Sequence, residues 1–448
     1  MFYLVKLNFC MLTILMPYRK QLFLLSVALI FINNLIFSIN PDSIACIDKV
    51  YEKNLKTVRL HPPDWESGYP VLDLNSDNYL LFNFDQIESP VDNFYYTFIH
   101  CTYNWQPSNL MFFEYADGFE ENEILDYEES QSTFVQYTHF TLEIPNTDVS
   151  LTKSGNYLLV VYSKNDDNIQ ILITKRFMIY ENIVEVTGRI NPCIEGEYRK
   201  AYQKLDFTVL RKGINIYDAQ SELKPVVLQN YQWNNALFNL PYNFIDNERI
   251  SYEWDDKSCF DASNEYRYFN FNNLELNSER VENIEFKKPY YYISLVNDKS
   301  EMFSPYRSSQ DINGSYVIRT NRFANKNFPE IQSEYAIVKF SLEYNTPINN
   351  ADIYLYGDLT GYEINENSKL LYNLESRSYE KLLFLKQGYY NYKYLLVDKD
   401  VTKSPDHSFF EGSHQQTENN YLLLLYYREI GSSYDRLIYF SVFNSVNK

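Results

Sequence analysis

Two histidines near the C-terminal end, His407 and His414, stand seven residues apart with Asp406 and Glu411 beside them. Imidazoles and carboxylates in one polar stretch are the donors a zinc-like ion would use, and a solvated loop is the plainer reading of the same residues. Firmer metal signatures are missing, because no Cys-x-x-Cys occurs and none of the five histidines opens a His-Glu-x-x-His. A serine nucleophile elbow needs a glycine on each side of x-Ser-x; Gly357 and Gly361 have that spacing but hold Leu359 between them. Carboxylate pairs for glycoside hydrolysis are set by separation in space, so an abundance of acids says nothing about them. The densest acidic run, Glu114 to Glu129, lacks the alternating Asp/Asn pattern and glycine that fold oxygens around calcium. It reads as a solvated loop, with a docking surface for a basic partner as the functional alternative. Glu120, Glu121 and Glu123 are the candidate partner-docking residues. No catalytic, cofactor-binding or metal-binding residue is assigned, so the chemistry expected is binding.

The chain around these residues has 448 residues, with Lys+Arg 40 against Asp+Glu 59 and a net charge of −19. That balance disfavours nucleic acid and anionic membrane surfaces, since both are bound by neutralising negative charge with Lys and Arg. With 45% hydrophobic residues, 43 Tyr and 31 Phe, the chain has ample core material and is too aromatic for a disordered acidic tail. Only 12 Gly and 16 Pro are present, so turns must lean on Asn and Asp, and glycine-rich phosphate cradles are nearly excluded. An apolar run from Leu22 to Ile32 follows Arg19 and Lys20, the charge-then-apolar order of a secretory signal. Translation starts at Met1 or at Met16, and small residues allow cleavage after Ser38 or after Ala45. An uncleaved signal anchor is the alternative. Ser43-Ile44-Ala45-Cys46 is also a weak lipobox, which leaves open a lipid on Cys46. Removal of the leader would leave Cys46, Cys101, Cys193 and Cys259, an even number in a compartment that permits disulfides. Their spacing is too wide for a disulfide scaffold; Cys101, in a strand-like run, reads as a free buried thiol, and pairing of Cys193 with Cys259 stays open.

Helical periodicity is scarce, whereas segments rich in β-branched and aromatic residues, bounded by Asn, Asp, Ser and Gly, recur from Lys56 to the C-terminus. The expected class is all-β, with tandem Ig-like or early-set β-sandwich domains following a signal peptide. Residues 1–45 form the leader and residues 46–180 an N-terminal sandwich that closes with the runs from Lys153 to Ser163 and Gln170 to Tyr180. Residues 181–334 form a middle β domain that ends in a polar linker, Thr320 to Ser333. Residues 335–448 form a separate C-terminal sandwich.

Several stretches, in order along the chain, resemble one family. In the first unit they are Asp92 to Cys101, Asp117-Gly118-Phe119, Val135 to Phe140 and Leu151 to Tyr157. Farther on they are Val226 to Asn230, Asn264 to Phe269, Gln310 to Gly314, Leu385 to Tyr392 and Tyr434 to Ile438. The family is the plug protein of the Bacteroidetes type IX secretion system. The resemblance implies a non-catalytic periplasmic protein, associated with the inner side of the outer membrane. Its partner would be the barrel protein of the outer-membrane translocon, and no small-molecule substrate is expected. The C-terminal unit also resembles early-set sandwiches that bind glycogen-like glucans, through Tyr354 to Tyr362 and Gly388 to Asp398. That family usually presents a sugar-stacking Trp where this sequence has Tyr362, a weak candidate glycan platform. The rival readings are a cell-envelope carbohydrate-binding sandwich and a glycoside-active enzyme.

Overall fold

A computed structural model describes residues 41, 44–88, 92–165, 168–193, 198–253, 258–321 and 328–446. Of the expected leader, residues 1–45, only 41, 44 and 45 are described, and both candidate start methionines lie outside the described residues. Strand makes up about 48% of the chain and helix 6%, so the class is all-β.

Hydrophobic alternation in the first unit builds two sheets around one core. One sheet runs in the order Lys49–Val50, Asn168–Tyr180, Gly155–Asn165, Tyr95–Cys101, Asn122–Glu123. The other runs Leu55–His61, Leu80–Ile87, Tyr137–Ile144, Asp126–Glu129. Between them Phe82, Phe84, Phe94, Phe140, Tyr157 and Phe177 pack, with Phe84 and Phe140 stacked at 5.0 Å. Along Gly155–Asn165 the side chains of Tyr157, Leu159 and Val161 enter this core, while Leu158, Val160 and Tyr162 enter a different one on the opposite face. A strand buried on both faces loses the polar alternation of a half-exposed one. This explains the unbroken apolar run that the sequence shows there.

That second face is covered by a second sandwich. Its covering sheet has the order Leu237–Phe238, Leu223–Gln229, Asn420–Tyr427, Arg436–Asn444. Val226, Leu228, Leu422, Leu424 and Tyr426 point at the first sandwich. Val227, Leu223, Tyr421, Leu423 and Leu425 point the other way, into the second sandwich's own core with Phe207, Val209 and Ile250. The opposing sheet is built on Tyr202–Leu210, flanked by Glu185–Pro192 and Arg249–Tyr252. A disulfide joins Cys193 to Cys259, on the two sides of that sheet's central strand.

The third sandwich corrects the expected boundary between residues 334 and 335. Tyr335–Glu343 pairs in parallel with Tyr290–Leu295, and Arg267–Asn270 pairs with Gly388–Asp398, so one core takes strands from both sides of the border. Leu223–Gln229 pairs with Asn420–Tyr427 along its whole length, which removes the last strands from the supposed C-terminal unit. The third sandwich is therefore an insertion within the second, between Phe260–Asp261 and Asn420–Tyr427. The chain leaves and returns at one point, where the backbone N–H of His414 donates to Ser263 O at 2.8 Å. The polar stretch from Thr320 to Ser333 joins two strands of the same sandwich. Its composition could not tell a connection within a domain from one between domains, because strand pairing is non-local.

Candidate functional site

The acidic run is folded, and much of it is strand. Phe112–Tyr115 forms one helical turn, in which Glu114 Oε2 accepts the backbone N–H of Met111 at 2.7 Å and the Tyr115 hydroxyl donates to Phe98 O at 2.9 Å. Ala116–Gly118 then pairs with Val149–Leu151. Gly118 has a φ of +123°, and a Cβ there would lie 2.1 Å from Asp148 O, so only glycine fits. Next, Asn122–Glu123 adds to the edge of one sheet and Asp126–Glu129 to the edge of the other, with buried Ile124 between them. The segment is a strap that closes one side of the first sandwich, which corrects the expectation of a loop.

Glu120 and Glu121 are exposed and Glu123 is half-buried. Glu121 is already engaged, accepting from the Tyr162 hydroxyl at 2.8 Å and pairing with Lys164. Among these carboxylates the strap displays large apolar side chains that the sequence reading missed: Phe113 is 78% exposed, Phe119 74% and Leu125 73%. In the sequence they pass for strand interior. In the fold Phe113 sits in the helical turn, and Phe119 and Leu125 in the connections between the short strands, outside any sheet face.

Tyr362 is no open platform. It is half-buried with a φ of +56°, and its ring meets that of Tyr356 edge-on at 5.2 Å. The Tyr356 hydroxyl in turn takes a hydrogen bond from Asn234, a residue of the second sandwich. The His407 and His414 cluster does not assemble either. Glu411 is buried and accepts from Arg267 Nε at 2.9 Å and from Tyr394 N at 2.9 Å, and the His407 ring packs on Tyr356 at 5.2 Å. Burial lowers the His407 imidazole to about 4, a neutral packed ring.

The sequence stretches that resemble a family converge on the joints between sandwiches. At the joint of first and third, buried Asp85 receives Lys386 Nζ at 2.6 Å, the Tyr335 hydroxyl at 2.7 Å and His139 Nδ1 at 2.6 Å. Burial alone would push the Asp85 carboxyl upward, but Lys386 and His139 outweigh it and hold it below the ordinary range. Beside it Glu334, also buried, accepts the backbone N–H groups of Phe134 and Val135. At the joint of first and second, Glu181 pairs with Arg436 and takes the Ser154 hydroxyl. Burial acts to raise that carboxyl too, and these two donors bring it down. Asp435 accepts from Tyr103 N at 3.0 Å and pairs with Arg428 at 2.8 Å, while the Tyr426 hydroxyl donates to Asn156 at 2.6 Å. Asp85, Glu181 and Glu334 carried no sequence signal, because one acid among 59 looks like any other.

At the joint of second and third, Glu265, Asp311 and Glu418 each place an oxygen within 4.8 Å of the other two. These are the described residues whose donors could hold a hard cation. Each already has protein partners: Tyr306 donates to Glu265 at 2.6 Å, Tyr266 N to Asp311, and Asn313 to Glu418 at 3.0 Å. Burial raises the carboxyls of Glu265 and Asp311, with their hydrogen bonds only partly opposing it.

A family model described as "Type 9 secretion system plug protein 1st domain" matches residues 55–181, the span of the first sandwich from its strand Leu55–His61 onward. The crystal structure of a hypothetical protein from Parabacteroides merdae ATCC 43184 is 32% identical, with a TM-score of 0.85, over 90% of this chain and 100% of that one. The C-terminal domain of the Streptococcus pyogenes antigen I/II-family protein AspA is 8% identical over 87% of this chain and 99% of that one, at a TM-score of 0.15. No curated protein matches.

Proposed function

Because the chain belongs to the type 9 secretion system plug protein family, we propose that it is the periplasmic stopper of the translocon's outer-membrane barrel. Involvement in type IX secretion and a place in the cell envelope go with the family. The family match over the first sandwich is the observation that carries the finer reading. The fold is compatible with it in two respects. A water-filled barrel leaks unless a folded body occludes it, and a compact chain of this size has a radius of gyration of roughly 22 Å. The three sandwiches also meet at joints held by buried or half-buried hydrogen-bonded charges, so the body presented to a pore is broad and continuous. The strap from Phe112 to Glu129 is the proposed docking face, with exposed Phe113, Phe119 and Leu125 for contact and Glu120 and Glu123 for attraction to a basic rim. Closure in this scheme is occlusion by a bound body, ended by dissociation and not by a chemical step.

The test is uptake of a large hydrophilic antibiotic by deletion and complemented strains, with translocon abundance checked in both. Deletion should raise uptake, and a folded variant that cannot bind should fail to restore the barrier. Equal permeability at equal translocon abundance would overturn the plug reading. A pull-down from solubilised outer membrane should recover the barrel protein.

A further inference from the structure

Cys46 and Cys101 are far apart in sequence and close in the fold. Cys101 ends the strand Tyr95–Cys101, and Cys46 lies just before Lys49–Val50, at the other side of the same sheet. Their Sγ atoms are 3.5 Å apart. A disulfide needs about 2.05 Å, so the two sulfurs stand about 1.5 Å from bonding distance. Both thiols are buried at the interface where Val226, Leu228, Leu422 and Leu424 of the second sandwich cover the first. Ile44 is buried in the same cluster, so the segment on each side of Ala45 belongs to the packed body.

We propose that Cys46 and Cys101 are joined as a second disulfide in the oxidised protein, fastening the N-terminal segment to the first sandwich. The bond forms by loss of one proton and one electron from each thiol. The two electrons pass to a disulfide oxidant, which is reduced to a dithiol or, for glutathione, to two thiols. The partners are not equivalent. The hydrogen bond from Cys101 favours the Cys46 thiolate; burial opposes it, and the Arg176 guanidinium assists it. Cys101 is raised by that same hydrogen bond and by burial. One of the two, as thiolate, attacks the oxidant to give a mixed disulfide, and the other resolves it with release of the reduced oxidant. Since the second sandwich covers both sulfurs, the exchange belongs to folding and precedes closure of that interface. The proposal also excludes a lipid on Cys46, because one sulfur cannot carry both a thioether and a disulfide.

The experiment is a peptide map of the full chain, refolded in a glutathione redox buffer, then denatured with iodoacetamide in the absence of reductant. The expected result is a single species containing the Cys46 and Cys101 peptides, separated by reductant, beside the Cys193 and Cys259 species. Under oxidising conditions a variant with Cys46→Ala and Cys101→Ala should still fold but melt about 5 °C or more below the parent. Carbamidomethyl groups on both Cys46 and Cys101 would overturn the proposal. A diacylglyceryl thioether on Cys46 in chain recovered from its own cells would do so as well.

Discussion

Asp85 has no exposed surface, and its three side-chain donors come from its own sandwich (His139) and from the third (Tyr335 and Lys386). Removing one partner of a buried pair leaves an uncompensated charge, which costs about 3–5 kcal/mol. Lys386→Met should therefore lower unfolding stability by that order in urea titrations, and adding Asp85→Asn should recover a good part of it. The Asp85 carboxyl sits below its ordinary value, so its contribution is full above the unfolded carboxylate pKa and fades as pH falls through the folded one. Glu265 and Asp311 behave in the opposite sense. Their carboxyls are raised by burial, so the stability they allow is complete at low pH and declines as rising pH ionises them. Glu265→Gln keeps an acceptor for Tyr306 and removes the charge, and it should raise the melting temperature at pH 7 but not at pH 4. A lower melting temperature at pH 7 would show that the three carboxylates are held together by something the side chains named here do not supply. Single residues were poorly legible in the sequence. Lys386 and His139 stood in recognisable stretches, but Asp85, which both of them face, did not.

Among the elements, the strap from Phe112 to Glu129 differed most from its sequence pattern. Charge density was readable and gave Glu120, Glu121 and Glu123; the pairing of a two-residue and a four-residue strand to two different sheets was not, since such short strands have too little period to detect. Glu121 is tied to Tyr162 and Lys164, which separates it from its neighbours. Replacing Glu120 and Glu123 by Gln should slow association with the translocon and flatten its salt dependence, with thermal stability nearly unchanged. Phe113→Ser with Phe119→Ser should instead raise the dissociation rate, because apolar contacts act after encounter. Surface plasmon resonance at two salt concentrations distinguishes the effects, and unaltered kinetics in both variants would remove the strap as the docking face. The long strands were the legible elements. Gly155–Asn165 and Asn420–Tyr427 are continuous apolar runs for the same reason, a sheet covered on both sides.

For the whole molecule, the sequence carried the class but not the nesting of one sandwich inside another, because that depends on which distant strands pair. Leu223–Gln229 and Asn420–Tyr427 are nearly 200 residues apart and in register throughout. A fragment of residues 335–448 should therefore give collapsed amide dispersion, lacking Arg267–Asn270 and Tyr290–Leu295 and carrying strands that belong to another core. A fragment of residues 263–414 should unfold cooperatively, since its ends meet at the contact of Ser263 with His414. Acid should loosen the full chain well above the carboxylate range. Burial lowers His61, His100 and His407 to about 4, so their stability contribution is whole above the unfolded value of 6.5 and is lost as pH falls toward 4. Melting temperatures measured from pH 7 to pH 4 should fall over this interval, and replacing His100 by Gln should reduce the slope.

The nesting also sets a clock. The second sandwich is begun by strands that end at Asp261 and is finished by strands that start at Asn420, roughly 160 residues later. In a chain that emerges N-terminus first, the half-made sandwich waits for its remaining strands until that whole stretch has followed. During that delay the first sandwich can close its own core while its outer face, with Leu158, Val160 and the two neighbouring thiols, still lies open to water. A chain cut short before Asn420 thus lacks two strands of its middle body as well as its tail, and leaves a wide apolar surface that a proofreading protease can find.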